Sequence, residues 1–144
     1  MPRNPPAGFH TLTPISMVAD PDRLIAFVEE ALGGEVVRRF HTPDGSVAHV
    51  EVRIGDSLLM IGLASEEYPA FPAMVCVYLD DVDASYAMAL AAGATSLRQP
   101  EDQFYGDRSS AVVDADGNQW WLTTRLQDLS REEIAQRAQH VEHP

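Results

Sequence analysis

From Arg23 onward, apolar residues recur at helical spacing: Leu24, Ile25, Phe27, Val28, Ala31 and Leu32 line one face of a helix. Asp20 or Asp22 can cap its start, and Gly33-Gly34 stops it as a C-terminal glycine should. The flanking segments follow a period of two. Residues 11 to 18 read as a strand, with Pro14 arguing for an edge or bulged position. Glu35 to His41 and Ser46 to Ile54 are strands joined by the turn Thr42-Pro43-Asp44-Gly45, and Ser57 to Leu63 is another. The pattern then restarts. It predicts a strand over 74 to 80, a helix over 83 to 92, and strands near 94 to 98, 109 to 114 and 119 to 125, with a turn at Asp114-Ala115-Asp116-Gly117-Asn118. Ser130-Arg131-Glu132-Glu133 is a capping box that opens a last helix through Ala138, and Gln139 to Pro144 is expected to fray.

The two stretches say nearly the same thing about 61 residues apart. Met17-Val18-Ala19-Asp20 before the first helix is echoed by Tyr78-Leu79-Asp80-Asp81 before the second, and Gly55-Asp56 by Gly117-Asn118 before each half's last strand. Half-units of this size cannot each close a core, so they must pack together and leave a cleft, where function is to be sought. The expected fold is α+β: two βαβββ repeats forming a curved, mostly antiparallel sheet around a cleft. The 144 residues make one domain, with repeat one at about 8 to 64, repeat two at about 70 to 126 and a C-terminal helix at about 130 to 139.

Composition narrows the chemistry. No apolar run approaches the roughly 18 to 20 residues of a membrane span, and the Pro-rich start lacks a signal peptide's apolar stretch, so a cytoplasmic protein is expected. The single cysteine, Cys76, can form neither an intrachain disulfide nor a multi-thiolate metal site. All 10 basic side chains are arginine, which excludes Schiff-base catalysis and a phosphate-binding P-loop lysine. With 22 acidic residues against them, the surface field disfavours nucleic acid and anionic membranes and favours a neutral or cationic small molecule.

The doubled βαβββ pattern, the Asp-rich helix starts and the run Asp-x-x-Gly-Asn-x-Trp-Trp at Asp114 to Trp121 resemble the vicinal oxygen chelate superfamily, which includes glyoxalases, bleomycin resistance proteins and extradiol dioxygenases. The likeness covers about Thr11 to Arg125, and Phe104-Tyr105-Gly106-Asp107-Arg108-Ser109 resembles in particular its PhnB-like, glyoxalase-related branch. The resemblance implies a divalent metal, held by a histidine about seven residues before each helix-capping aspartate and by a glutamate in the strand after Gly-Asn. Those positions hold Thr13, Met74 and Trp121. A thioether and an indole do not bind a hard divalent ion, so no cofactor is expected and the family's metal site is read as lost. The resemblance also implies a homodimer.

Strand alternation names what lines the cleft instead. Val50, Val52 and Ile54 should pack on a helix and turn His49, Glu51 and Arg53 inward; Val75, Val77 and Leu79 do the same for Met74, Cys76 and Tyr78. Gln119, Trp121 and Thr123 share a face, and adjacency sends Trp120 and Trp121 to opposite sides. Thr13, Met17, Tyr105 and Arg108 complete the expected ligand-binding set, the last two on a loop, Gln99 to Arg108, that could close as a lid. The favoured function is metal-independent binding or sequestration of an aromatic or cationic metabolite or antibiotic. The alternative is an isomerase, cyclase or glyoxalase-type lyase using His49 and Glu51 as acid and base, or, with His10, as ligands of a displaced metal. The tail histidines His140 and His143 are assigned no role.

Overall fold

The computed structural model describes residues 1–141. His143 and the end of the expected frayed tail lie outside them. In chain order the elements are β1 (Ile15–Val18), α1 (Pro21–Leu32), β2 (Glu35–His41), β3 (Val47–Ile54), β4 (Ser57–Leu63), β5 (Met74–Tyr78), α2 (Val82–Ala91), β6 (Thr95–Asp102), β7 (Asp107–Val113), β8 (Gln119–Arg125) and α3 (Arg131–Ala138). They form two four-stranded sheets, ordered β1-β4-β3-β2 and β5-β8-β7-β6. Each is antiparallel except for one parallel pair, β1 with β4 and β5 with β8. The fold is therefore the expected pair of βαβββ units, with the cleft-forming surface divided between two separate sheets.

The cores follow from the pattern. α1 is capped by the Asp20 side chain, which accepts from the Arg23 amide, and it ends at Gly33 with φ of 66°. Its buried stripe, Leu24, Ile25, Phe27, Val28, Ala31 and Leu32, packs with Val50 and Val52 of β3 and Leu59 and Ile61 of β4. Asp81 caps α2 in the same way, through the Ala84 amide. Across the halves, Phe27 meets Trp120 of β8 at 5.9 Å between ring centroids, so both units share one apolar cluster.

A buried polar hub accompanies that contact. The Asp114 carboxylate accepts from the Asp116 and Asn118 amides (2.9 and 3.0 Å), from Asn118 Nδ2 (3.1 Å) and from the Trp120 indole (2.9 Å). Asn118 Oδ1 in turn accepts from the Ala73 amide at 2.9 Å and from the Ser16 hydroxyl of β1 at 3.3 Å, which ties the second half to the first. Arg23 of α1 adds an ion pair to Asp116.

Two expectations are corrected. The first strand begins at Ile15, because Pro14 cannot donate to the ladder; only its carbonyl is used, by the Met60 amide at 3.0 Å. β6 runs to Asp102 and β7 starts at Asp107, so the expected loop Gln99 to Arg108 shrinks to a turn, and that turn is no lid. The Gly106 carbonyl accepts from the Leu126 and Gln127 amides, and a Cβ at Gly106, whose φ is 98°, would stand 2.5 Å from the Gln127 carbonyl oxygen. The strand registers align the halves as the caps do: Ile15 faces Met60 as Cys76 faces Trp121, and Met17 faces Gly62 as Tyr78 faces Thr123, so Thr13 is the residue matching Met74.

Replacing Asp114 with Ala strips the acceptor from four donors, two of them in side chains that are 1% exposed, Asn118 and Trp120. Hydrogen bonds to a buried charge are worth more than neutral ones, so Asp114→Ala is expected to lose about 3 kcal/mol or more of stability. Urea unfolding should show a lower midpoint with an unchanged slope.

Candidate functional site

Each sheet turns one face to its helix and the other away, and the outward faces differ in chemistry. On the second sheet, Val75, Val77 and Leu79 pack against the core, which leaves Met74, Cys76 and Tyr78 outward, Met74 and Tyr78 being 68% and 64% exposed. β8 alternates in the same way: Trp120 and Leu122 are buried in the core, whereas Trp121 stands on the outer face, paired in register with Cys76 and Ala111. The Arg98 guanidinium of β6 lies 5.7 Å from the centroid of the Trp121 ring. The Trp121 indole N–H donates to Gln119 Oε1 at 3.3 Å.

A polar row adjoins this aromatic surface. Thr123 lies 3.7 Å from the Cys76 thiol and donates to the Ser109 hydroxyl at 3.5 Å. Asp107 is buried, accepts from the Tyr78 phenol at 3.4 Å and pairs with Arg125 at 3.2 Å. The negative charge of Asp107, more than burial, holds the Tyr78 phenol above its ordinary pKa, because a phenolate beside a carboxylate is disfavoured. Tyr105 is also raised, mainly by burial and then by Asp107; Arg98 acts in the opposite sense.

The first sheet's outer face carries His49, Glu51 and Arg53 of β3 with Arg38 and Phe40 of β2. Glu51 is 9% exposed at its side chain, with Arg38 Nε at 3.7 Å and His49 Nε2 at 3.8 Å. His49 lies 5.7 Å from the Phe40 ring, and Arg38 stands over that same ring. Arg53 sits at the strand's far end, 4.0 Å from Glu35. Met17 of β1 rests on Gly62, where a Cβ would come within 2.6 Å of its sulfur, so the glycine makes room for the thioether. Segment 4–13 lies beside this sheet and borders an open pocket of about 500 Å³, lined by Thr13, Arg38, Glu51 and Met60 among others. A second cavity of about 320 Å³ lies between the β3–β4 hairpin and β5.

The residues expected in one cleft thus divide. Met74, Cys76, Tyr78, Tyr105, Trp121 and Thr123 gather on the second sheet, whereas Thr13, Met17, His49, Glu51 and Arg53 belong to the first. Arg108 faces neither. It lies on the helix side of β7, donating to both Asp83 carboxylate oxygens at 3.0 Å and to Asp102 at 2.9 Å. Its neighbour Asp107 takes the outward position because β7 begins two residues earlier than the pattern predicts. Arg98, Asp107, Ser109 and Arg125 complete the second face. Correct strand limits would have found them by alternation.

The metal implied by the fold does not fit these donors. Thr13, Met74 and Trp121 stand where ligands would be needed, and among the described residues no three His, Cys, Asp or Glu side chains are grouped to hold an ion. His10 does not join His49 and Glu51, because its Nε2 contacts the Asp56 carbonyl oxygen at 2.9 Å.

The paired βαβββ units and their open, partly aromatic outer faces define a class, and the sequence agrees: residues 9–122 match the Glyoxalase/Bleomycin resistance protein/Dioxygenase superfamily, to which this chain belongs. An uncharacterized protein of Mycobacterium bovis is 29% identical over 134 residues, covering 85% of this chain and 88% of its own length. Among solved structures, TioX from Micromonospora sp. ML1 superposes with a TM-score of 0.70 at 24% identity, covering 81% of this chain and 99% of TioX. TnmS3, an antibiotic binding protein from Streptomyces sp. CB03234, gives 0.65 at 22% identity, covering 81% of this chain and 95% of TnmS3. No helix among the described residues is long and apolar enough to cross a membrane.

The tyrosine environments give a direct check. Because the Asp107 charge is the leading cause at Tyr78, Asp107→Asn should move the ionisation of Tyr78 down towards 10, its ordinary value. Ultraviolet titration of phenolate absorbance in the parent and in Asp107→Asn reads the change. An unmoved titration would detach Tyr78 from Asp107.

Proposed function

We propose that this protein binds a planar aromatic or cationic small molecule, an antibiotic or a metabolite, on the outer face of its second sheet, without a metal ion. The observation that carries the reading is the exposure of Met74 and Tyr78 beside Trp121, on a face that ends in the buried carboxylate of Asp107. An aromatic guest gains by covering this surface, since stacked or edge-on rings contribute about 0.5–1.5 kcal/mol beyond the area buried. Methionine adapts to the guest's outline. The net charge of -12 favours a cation over an anion. The likeness to an antibiotic binding protein supports the same reading at the level of the fold.

Acid–base chemistry by His49 and Glu51 has less support. Their 3.8 Å separation is beyond a hydrogen bond.

Proflavine, a planar aromatic cation, is a suitable probe. It should quench tryptophan emission in the parent, and Trp121→Ala should weaken its binding by about tenfold, the equivalent of roughly 1.4 kcal/mol. The quenching curve should be the same with and without a chelator. Equal binding by Trp121→Ala, or loss of binding on chelation, would contradict the reading.

We also propose a homodimer in the cytoplasm. Leu12, Ile15 and Phe71, on β1 and the segments beside it, are large apolar side chains left exposed, a surface that a second copy could cover without blocking Trp121. Light scattering is expected to give twice the chain mass at micromolar concentration; the mass of a single chain at all concentrations would contradict it.

A further inference from the structure

The aromatic face carries a charge that any guest stacked on it must meet. The Arg98 guanidinium stands 5.7 Å from the centroid of the Trp121 ring, and the strand register explains how it gets there. Arg98 of β6 pairs with Ala111 of β7, and Ala111 pairs with Trp121 of β8, so the three form one row across the sheet. With only a methyl group between them, the arginine reaches across β7 to the indole and Ala111 is left 0% exposed.

Arg98 is also the cation of this face that is not already committed to a carboxylate. Arg125 is held by Asp107 at 3.2 Å and by Asp128 at 2.9 Å, whereas Arg98 is exposed and, among the described residues, makes no ion pair and no side-chain hydrogen bond. Its charge acts across the face, where it opposes the rise that burial and Asp107 give the Tyr105 phenol. A flat guest stacking on Trp121 from this side has to take the place of the guanidinium. A neutral ring then forfeits the cation–π contact, and a cation adds repulsion between like charges. A carboxylate reverses the balance, because the displaced guanidinium remains beside the guest and can donate two parallel N–H···O bonds to it. The net charge of -12 disfavours an anion at a distance, but that field is screened over about 8 Å at physiological salt, and at the face Arg98 is the nearer charge.

From this we infer that Arg98 sets the specificity of the aromatic face, and that the guest it selects is a planar aromatic carboxylic acid, with its ring on Trp121 and its carboxylate on the Arg98 guanidinium. The inference rests on the reading of that face as the binding surface and narrows it from planar guests in general to acids. Proflavine reports whether the surface binds a flat ring; an acid reports what Arg98 adds.

Isothermal titration with 2-naphthoate tests the inference, with 2-naphthamide as its neutral counterpart of the same shape and proflavine as the cation. The parent is expected to bind 2-naphthoate at least tenfold more tightly than 2-naphthamide. Arg98→Gln, which removes the charge at an exposed position, should lose at least tenfold in 2-naphthoate affinity while binding 2-naphthamide equally and proflavine no more weakly than the parent does. Arg98→Lys, which keeps the charge without the planar fork, should retain part of the preference for the acid. Trp121→Ala should weaken all three probes. Circular dichroism establishes whether Arg98→Gln is folded; if it is not, the comparison of acid with amide on the parent decides alone. Equal affinity of the parent for acid and amide, or full 2-naphthoate affinity in folded Arg98→Gln, would overturn the inference and leave the aromatic face standing if Trp121→Ala still weakens proflavine. Failure of all three probes to bind the parent, or binding that Trp121→Ala leaves intact, would overturn the reading of the face and this inference with it.

Discussion

One carboxylate holds this molecule in the arrangement that makes it useful. Asp114 gathers the two amides of its own turn, the Asn118 side chain and the Trp120 indole, and Asn118 carries the connection to Ser16 in the other half. Charge-assisted bonds of this kind stay strong in a dry interior, and each donor removed from water needs them. The consequence is geometric. Fixing Trp120 inward against Phe27 obliges Trp121, one residue on, to face outward, because successive side chains on a strand alternate. The aromatic surface is thus a by-product of the bond that joins the halves.

Repetition supplied two similar scaffolds, and substitution made their outer faces unlike. The second sheet offers open aromatic and sulfur surface with Asp107 at its margin, suited to a broad planar guest. The first carries Glu51 between Arg38 and His49, beside an open pocket lined by segment 4–13. Among the described residues, neither face gathers three His, Cys, Asp or Glu side chains about one point. The doubled frame keeps the two faces in place while the residues on it decide the chemistry of each.

Much of this was legible in the sequence, and the limits have physical causes. The stripe from Leu24 to Leu32 and the caps at Asp20, Asp81 and Ser130 specify their helices locally, and period-two alternation placed Glu51, Cys76 and Trp121 on outward faces. Arg108 went astray because Gln99 to Arg108 contains Pro100 and Gly106, which read as a loop; β6 instead absorbs the proline, with a shift in its pairing to β7 between Arg98 and Glu101. Thr13 was matched to Met74 by counting from the caps. Hydrogen-bond register gives the same match, because the paired strands of the two halves keep the separation that their caps do. Nothing local announced that segment 4–13 would lie beside the first sheet, because tertiary contacts alone decide where such a Pro-rich stretch lies.

The most direct test is to observe the two indole N–H resonances while proflavine is added. Trp120 is sealed in the core and hydrogen-bonded to Asp114, whereas Trp121 stands on the proposed binding face, so the two report separate environments in one spectrum. The account predicts that the Trp121 resonance shifts progressively to saturation while that of Trp120 stays in place. A Trp121 resonance that does not move while proflavine binds elsewhere on the chain would contradict it.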